Sequence, residues 1–189
     1  MAEKKVDRRT LKTQRAIKEA LAELIAEKEI RHITVQELSD LADVHRVTFY
    51  KHYYDIYDVY EQLEREILSD LGVLILDFHK RPVEDFDLQL VDYIADNPKI
   101  FKMIFSPHNT GELKHKFSNM VDGVFRLIQY EKNGIDFKDS RLDYLAACWS
   151  SSSIEVLSKW VQSDFAQPKE FIFKILLEVD EHLEKLLLV

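Results

Sequence analysis

The stretch Ile33-Thr34-Val35-Gln36-Glu37-Leu38-Ser39-Asp40-Leu41-Ala42-Asp43-Val44-His45-Arg46-Val47-Thr48-Phe49-Tyr50-Lys51-His52-Tyr53 decides the fold. Thr34 can cap a helix and Glu37, three positions on, completes a capping box, so a short helix is expected over about 35–42. After Asp43 and Val44 a second short helix is expected over roughly 46–53, with Phe49 and Tyr53 on one face because they are four apart. Two short helices about a tight turn, preceded by a longer helix, make the helix-turn-helix plan, in which the second helix of the pair enters the major groove of DNA. With Phe49 set inward and about 100° of rotation per residue, Tyr53 also points inward. Val47, Tyr50, Lys51 and Tyr54 then point outward, and Arg46, Thr48 and His52 lie on the flanks. That outward set suits a groove better than water: apolar surface for thymine methyls, hydroxyls and an ammonium for phosphates and base edges. The alternative is that Tyr50 and Tyr54 pack against the fourth or the first helix.

Working outward, Ile17, Ala20, Leu21, Leu24 and Ile25 recur at spacings of three and four, which predicts a helix from about residue 10 to 28. On the other side Asp55 followed by Asp58 repeats the capping logic and starts a long fourth helix through Tyr60, Leu63, Ile67, Leu71 and Leu74, ending before Pro82. Further helices are expected near 85–97, 98–105 with Pro98 in the first turn, 111–132, 140–163 and 168–188. The expected fold is therefore all-α, about nine helices. A three-helix DNA-binding module over 1–54 precedes a helical regulatory and dimerisation domain over 55–189.

Composition agrees. The chain has 189 residues, 46% of them hydrophobic, with four glycines and four prolines. That is too few turn formers for an all-β fold or a collagen-like chain. The net charge of −8 argues against a nucleic-acid binder until it is divided along the chain. Residues 1–55 hold 11 Lys and Arg against 10 Asp and Glu, and the remaining residues hold 15 against 24. Lys4, Lys5, Arg8, Arg9, Lys12 and Arg15 form a local basic arm before and into the first helix. Cys148 is the single cysteine, which excludes an internal disulfide and fits a reducing compartment. A charged amino terminus and the absence of a long apolar run lead us to expect a cytoplasmic protein with no membrane segment. No enzyme reading survives: there is no phosphate-cradling glycine loop, Cys148 has no nearby His in sequence, and His108 with His115 lacks zinc-site spacing. No cofactor or metal is expected.

The run Val44-His45-Arg46-Val47-Thr48-Phe49-Tyr50-Lys51-His52-Tyr53, followed by Tyr54-Asp55-Ile56-Tyr57-Asp58, resembles the signature of the TetR family of transcriptional regulators. The resemblance spans roughly residues 10–65, with Ile33-Thr34-Val35, Leu38 and Leu41-Ala42 as the matching second helix. The Trp160-containing eighth helix and the ninth helix begun by Pro168 resemble the family's carboxy-terminal part, and the chain is similar to the subset related to regulators of dihydroxyacetone kinase genes. The resemblance implies that Thr34 contacts phosphate, that Arg46, Val47, Thr48 and Lys51 face bases, and that Tyr50 and His52 clamp the backbone. His45, at the start of the recognition helix, is counted in the same DNA-binding set. It stands where the family has a Ser-like cap, and Ile56 stands where a lysine often touches phosphate, which implies weaker and less salt-dependent binding. The implied function is a homodimeric regulator of a palindromic operator, a repressor released by a small-molecule ligand. The competing function is a coactivator or adaptor that binds another regulator and uses DNA little.

Two features bear on the second domain. Small residues lie in the middle of a helix at Ala146-Ala147-Cys148-Trp149-Ser150-Ser151-Ser152-Ser153-Ile154, permitting close approach of another helix, the alternative being a linker. The last helix carries Phe171, Ile172, Phe173, Ile175, Leu176, Leu177, Val179, Leu183, Leu186 and Leu187, more than one apolar stripe. The last two helices are therefore expected to form a twofold dimer interface, the alternative being that they complete the monomer core. By resemblance, Phe101, Met103, Phe105, Phe117, Met120, Phe125, Tyr144, Cys148 and Trp149 are candidates to line an effector pocket, the alternative for each being plain core. His108, in a long turn, is a candidate gate.

Overall fold

The computed structural model describes residues 8–78 and 83–187. Among them the chain forms nine α-helices and no strand: α1 Arg8–Glu27, α2 Val35–Leu41, α3 Arg46–Phe49, α4 Ile56–Phe78, α5 Val83–Asp96, α6 Pro98–Ile104, α7 Glu112–Asn133, α8 Ser140–Gln162 and α9 Lys169–Leu187. The all-α reading holds and every expected helix is present. A short 3-10 turn at Ile30–His32, which the sequence did not announce, joins α1 to α2.

Two local expectations are corrected. The recognition helix, expected over 46–53, is a single turn, Arg46–Phe49. Beyond it the bonding is mixed, with Lys51 N–H to Thr48 O at 3.2 Å and His52 N–H to Phe49 O at 2.9 Å at spacings of three, and Tyr53 N–H to Phe49 O at 3.0 Å at a spacing of four. The β-branched pair Val47-Thr48 and the rings that follow lose rotamer freedom in a helix. His45 at the cap also offers no side-chain bond to the first helical N–H groups. The capping box of α2 is half made. Thr34 Oγ1 accepts from Glu37 N–H at 3.2 Å, but the Glu37 carboxylate turns to Lys28 Nζ at 2.5 Å, a charged partner.

The turn between α2 and α3 is held by the backbone. Asp43 sits in the left-handed region at φ 54, Val44 N–H reaches Ser39 O at 3.0 Å, and Asp43 N–H reaches Asp40 O at 3.2 Å. This is the Schellman ending, with aspartate where glycine is usual. The end of α8 repeats it. Asp164 and Phe165 have positive φ, Phe165 N–H bonds Trp160 O at 3.0 Å, and the two rings meet edge-on at 4.9 Å, the apolar contact that accompanies this motif.

The chain divides after Ile67. The part before it joins Lys99–Gly111 in one compact unit, and Leu68–Pro98 with the part from Glu112 onward forms the other. In the first unit α1 packs on α2 and α2 on α3, with Ile17, Leu21, Leu38 and Phe49 wholly buried. Lys18, itself almost buried, pairs with Glu66 of α4. Lys99–Gly111 belongs here through specific bonds. Ser106 Oγ donates toward the last carbonyls of α1, Ile25 O at 3.2 Å and Ala26 O at 3.1 Å, Tyr60 hydroxyl reaches Asn109 Oδ1 at 3.1 Å, and Lys99 pairs with Glu23 at 2.7 Å.

In the second unit α8 packs on α7 and α9, and α9 on α5. Trp149 stacks on Phe125 with centroids 5.2 Å apart, and its indole N–H donates to Asp180 of α9. The serine tract is helical, with Ser150 and Ser153 buried beside Ala146, so small residues there admit a neighbouring helix. Asp43→Gly is expected to stabilise the protein by about 1 kcal/mol, because glycine has no Cβ cost at positive φ, whereas Asp43→Val destabilises it. Urea unfolding of the three proteins checks the order.

Candidate nucleic-acid interface

Phe49 is wholly buried and Tyr53 nearly so, their ring centroids 5.8 Å apart, so the four-residue spacing anchors α3 and the turn after it as one piece. Everything opposite is exposed. Val47 is 71%, Tyr50 53% and Tyr54 84% exposed, and His45, Arg46 and Lys51 are exposed with them, while Thr48 and His52 are half-buried on the flanks. Tyr50 touches the Phe49 ring edge-on at 5.4 Å and presents the rest of its ring to solvent. Thr34 is exposed at the start of α2. Its oxygen is occupied as a cap, which leaves its proton to donate. Arg8, Arg9, Lys12 and Arg15 are exposed along α1. Lys4 and Lys5 of the basic arm lie outside the described residues.

Two members of this surface escaped the sequence reading. Gln36 and Asp40 of α2 line a groove of about 490 Å³ together with His45, Arg46, Val47 and Thr48. The available signal was their spacing: two residues either side of the buried Leu38, they share the helix face opposite it.

The exit from this segment is pinned at the start of α4. Asp58 N–H donates to Asp55 Oδ1 at 2.9 Å and Tyr54 N–H donates to Asp58 Oδ2 at 2.9 Å, with Gln62 Nε2 on Asp58 Oδ1 at 2.8 Å. The Tyr54 N–H, and after it Gln62, hold the Asp58 carboxyl below its ordinary range. Ile56 is buried in the core of this unit and offers nothing to a phosphate. Burial, and then the charges of Glu66 and Asp58, push the Tyr53 hydroxyl well above the usual phenol range. Buried without a hydrogen-bond partner among the described residues, it stays protonated.

The candidate effector residues are not gathered in one place. Phe101, Met103 and Phe105 belong to the first unit and are buried there. In the second unit Phe117, Phe125 and Trp149 are core, whereas Tyr144 is 77% exposed and Cys148 is exposed on the outer side of α8. Phe117 and Met120 do share a cavity with Leu71, Leu74, Phe86 and Leu90, wholly apolar and about 10 Å³ in volume, room for one water at most. His108 lies in an exposed turn of the first unit, its N–H on Ser106 Oγ at 3.1 Å. No helix among the described residues is long and apolar enough to cross a membrane. Among the described residues no group of His, Cys, Asp and Glu is placed to hold a metal.

This architecture, a helix-turn-helix unit followed by a helical second unit, is that of a transcriptional regulator. The family model described as "Transcriptional regulator C-terminal region", of the TetR type, matches residues 83–180, more than half of the chain. The chain belongs to the TetR family of transcriptional regulators. Solved structures share the fold. A TetR transcriptional regulator from Streptococcus agalactiae is 23% identical over 92% of this chain and 96% of its own, with a TM-score of 0.62. The fatty acid degradation regulator FadR from Bacillus halodurans is 18% identical over 95% of this chain and 96% of its own, at 0.67. A dihydroxyacetone kinase operon activator, DhaS, is 16% identical over 92% and 94%, at 0.59, a likeness of fold. No curated protein matches the chain by sequence.

Because the Asp58 carboxyl is held low in the folded state, its contribution is complete above the unfolded carboxylate range, about pH 4. It is lost as pH falls through the lower folded value. Asp58→Ala is therefore expected to be less stable than wild type at pH 7 and to lose less stability on acidification, as read by urea titrations from pH 7 to pH 3. Asp55→Ala costs about 1 kcal/mol as a lost helix cap.

Proposed function

We propose that the chain is a homodimeric, ligand-responsive regulator, working in the cytoplasm, that binds a palindromic operator through residues 1–54 and dimerises and senses its effector through residues 55–189. One observation carries the reading. A segment anchored by Phe49 and Tyr53 presents Val47, Tyr50 and Lys51 to solvent, with Arg46 exposed beside them, an apolar and aromatic display that a partner would cover. Arg46, Val47, Thr48 and Lys51 face bases, while Thr34, Tyr50 and His52 hold phosphates and His45 stands at the groove edge. The exposed cations along α1 add backbone contacts.

Dimerisation is supported by the outer side of α8 and α9. A groove of about 950 Å³ there is lined by the small residues Cys148, Ser151 and Ser152 of α8 and the apolar Ile175, Val179 and Leu183 of α9, with Glu155, Glu178 and His182 among them. Across a twofold axis this pair meets its copy in a four-helix bundle and sets the recognition segments about one DNA turn apart. The absence of polar lining in the small cavity beside Phe117 and Met120 supports an apolar effector. At its present volume the cavity must expand to admit a molecule. A ligand that favours the expanded conformer shifts the population away from DNA by its differential affinity. Repression is then relieved, with α4, whose residues belong to both units, as the route.

A second reading makes the protein a coactivator that docks on another regulator. The buried Ile56, which removes a phosphate contact, favours it. The two separate in one assay. For the operator reading, purified protein alone retards a fragment of its own upstream region at moderate salt, and Lys51→Ala and Tyr50→Ala abolish the shift while sedimentation shows the dimer intact. Full binding by both variants overturns the assigned face, and no shift by wild type favours the coactivator.

A further inference from the structure

We infer that Gln36 is a base-reading side chain that selects adenine at one position of each operator half-site, and that Asp40 is its positioning residue. The inference rests on the operator-binding reading above. Leu38 and Ser39 are the buried residues of α2, so Gln36 and Asp40 stand on the exposed face opposite Leu38, one turn apart. At that spacing their side chains meet, Gln36 Nε2 donating to Asp40 Oδ1 at 2.7 Å. They form one wall of the groove whose other wall is the start of α3, at His45, Arg46 and Val47. A duplex placed against Arg46 and Val47 therefore also meets Gln36.

The hydrogen bond fixes what Gln36 offers. A carboxylate only accepts, so the amide must turn its nitrogen to Asp40 and its carbonyl oxygen away. What remains is one acceptor, Oε1, beside one donor, the second Nε2 hydrogen. That pair matches the amino group and N7 of adenine. Guanine shows two acceptors there, N7 and O6, and would leave Oε1 facing another oxygen. Cytosine and thymine each satisfy only half of the pair. An unheld glutamine could rotate its amide and accept other edges, and Asp40 removes that freedom. The same carboxylate disfavours a phosphate as the partner, since contact would bring two negative charges together. A base edge, not the backbone, is the fitting target.

The test is selection of duplexes from random DNA by full-length wild type, Gln36→Ala and Asp40→Ala, followed by titration on the best wild-type operator and its single-base variants. Both side chains are exposed, and circular dichroism checks that the variants keep their helix content. Gln36→Ala is expected to bind that operator about ten-fold more weakly. It should lose the preference for one adenine per half-site while keeping the other preferences and the salt slope. Asp40→Ala is expected to keep binding but to admit other bases at that same position. Unchanged selectivity in Gln36→Ala, or a uniform loss across all sequences with a shallower salt dependence, overturns the inference alone. A wild type that enriches no sequence overturns both the inference and the operator reading.

Discussion

The burial of Phe49 is the constraint on which the interface depends. A single helical turn cannot hold its own shape in water, because nucleation is unfavourable and few bonds are gained. α3 has four residues, so its direction comes from the Phe49 ring, wholly buried, and from Tyr53 one turn later on the same face. Removing a buried ring of that size typically costs 3–5 kcal/mol, a large share of the stability of a domain. The exposed chemistry of Arg46, Val47, Tyr50 and Lys51 is thus set by two residues that are themselves buried.

The architecture was legible in the sequence because it rests on long-period signals. Stripes such as Ile17, Leu21 and Ile25 persist over several turns, and caps such as Asp55 and Pro98 punctuate them. What was lost lay at shorter range. The extent of α3 was overestimated because the one-face relation of Phe49 and Tyr53, held by the Tyr53 N–H bond to Phe49 O at 3.0 Å, survives even where regular helical bonding lapses at Lys51 and His52. Glu37 fits a capping box by spacing alone, but Lys28, nine residues earlier and brought close by the Ile30–His32 turn, competes for it. Gln36 and Asp40 carry no capping or apolar-stripe signal; only their spacing about the buried Leu38 marks the wall that α2 supplies.

The residues expected to line an effector pocket were the least legible part. Apolar residues in a helical domain do not declare whether they meet core or cavity. Here the candidates are distributed between two compact units, from the fully buried Phe101 to the exposed Tyr144. Only the juxtaposition of Phe117 and Met120 with side chains of α4 and α5 marks a place, and that depends on helix packing that no local pattern encodes.

The turn at Asp43 divides labour between backbone and side chains. Its closing bonds run from main-chain N–H groups to main-chain carbonyls, so the angle at which α3 leaves α2 does not draw on the outward side chains at Gln36, Asp40, His45 or Arg46. Those positions are therefore open to drift: one can change without disturbing the scaffold that carries it. A lineage descending from this chain could exchange the outward chemistry of this surface residue by residue while its fold stays under a separate and nearly unchanged selection.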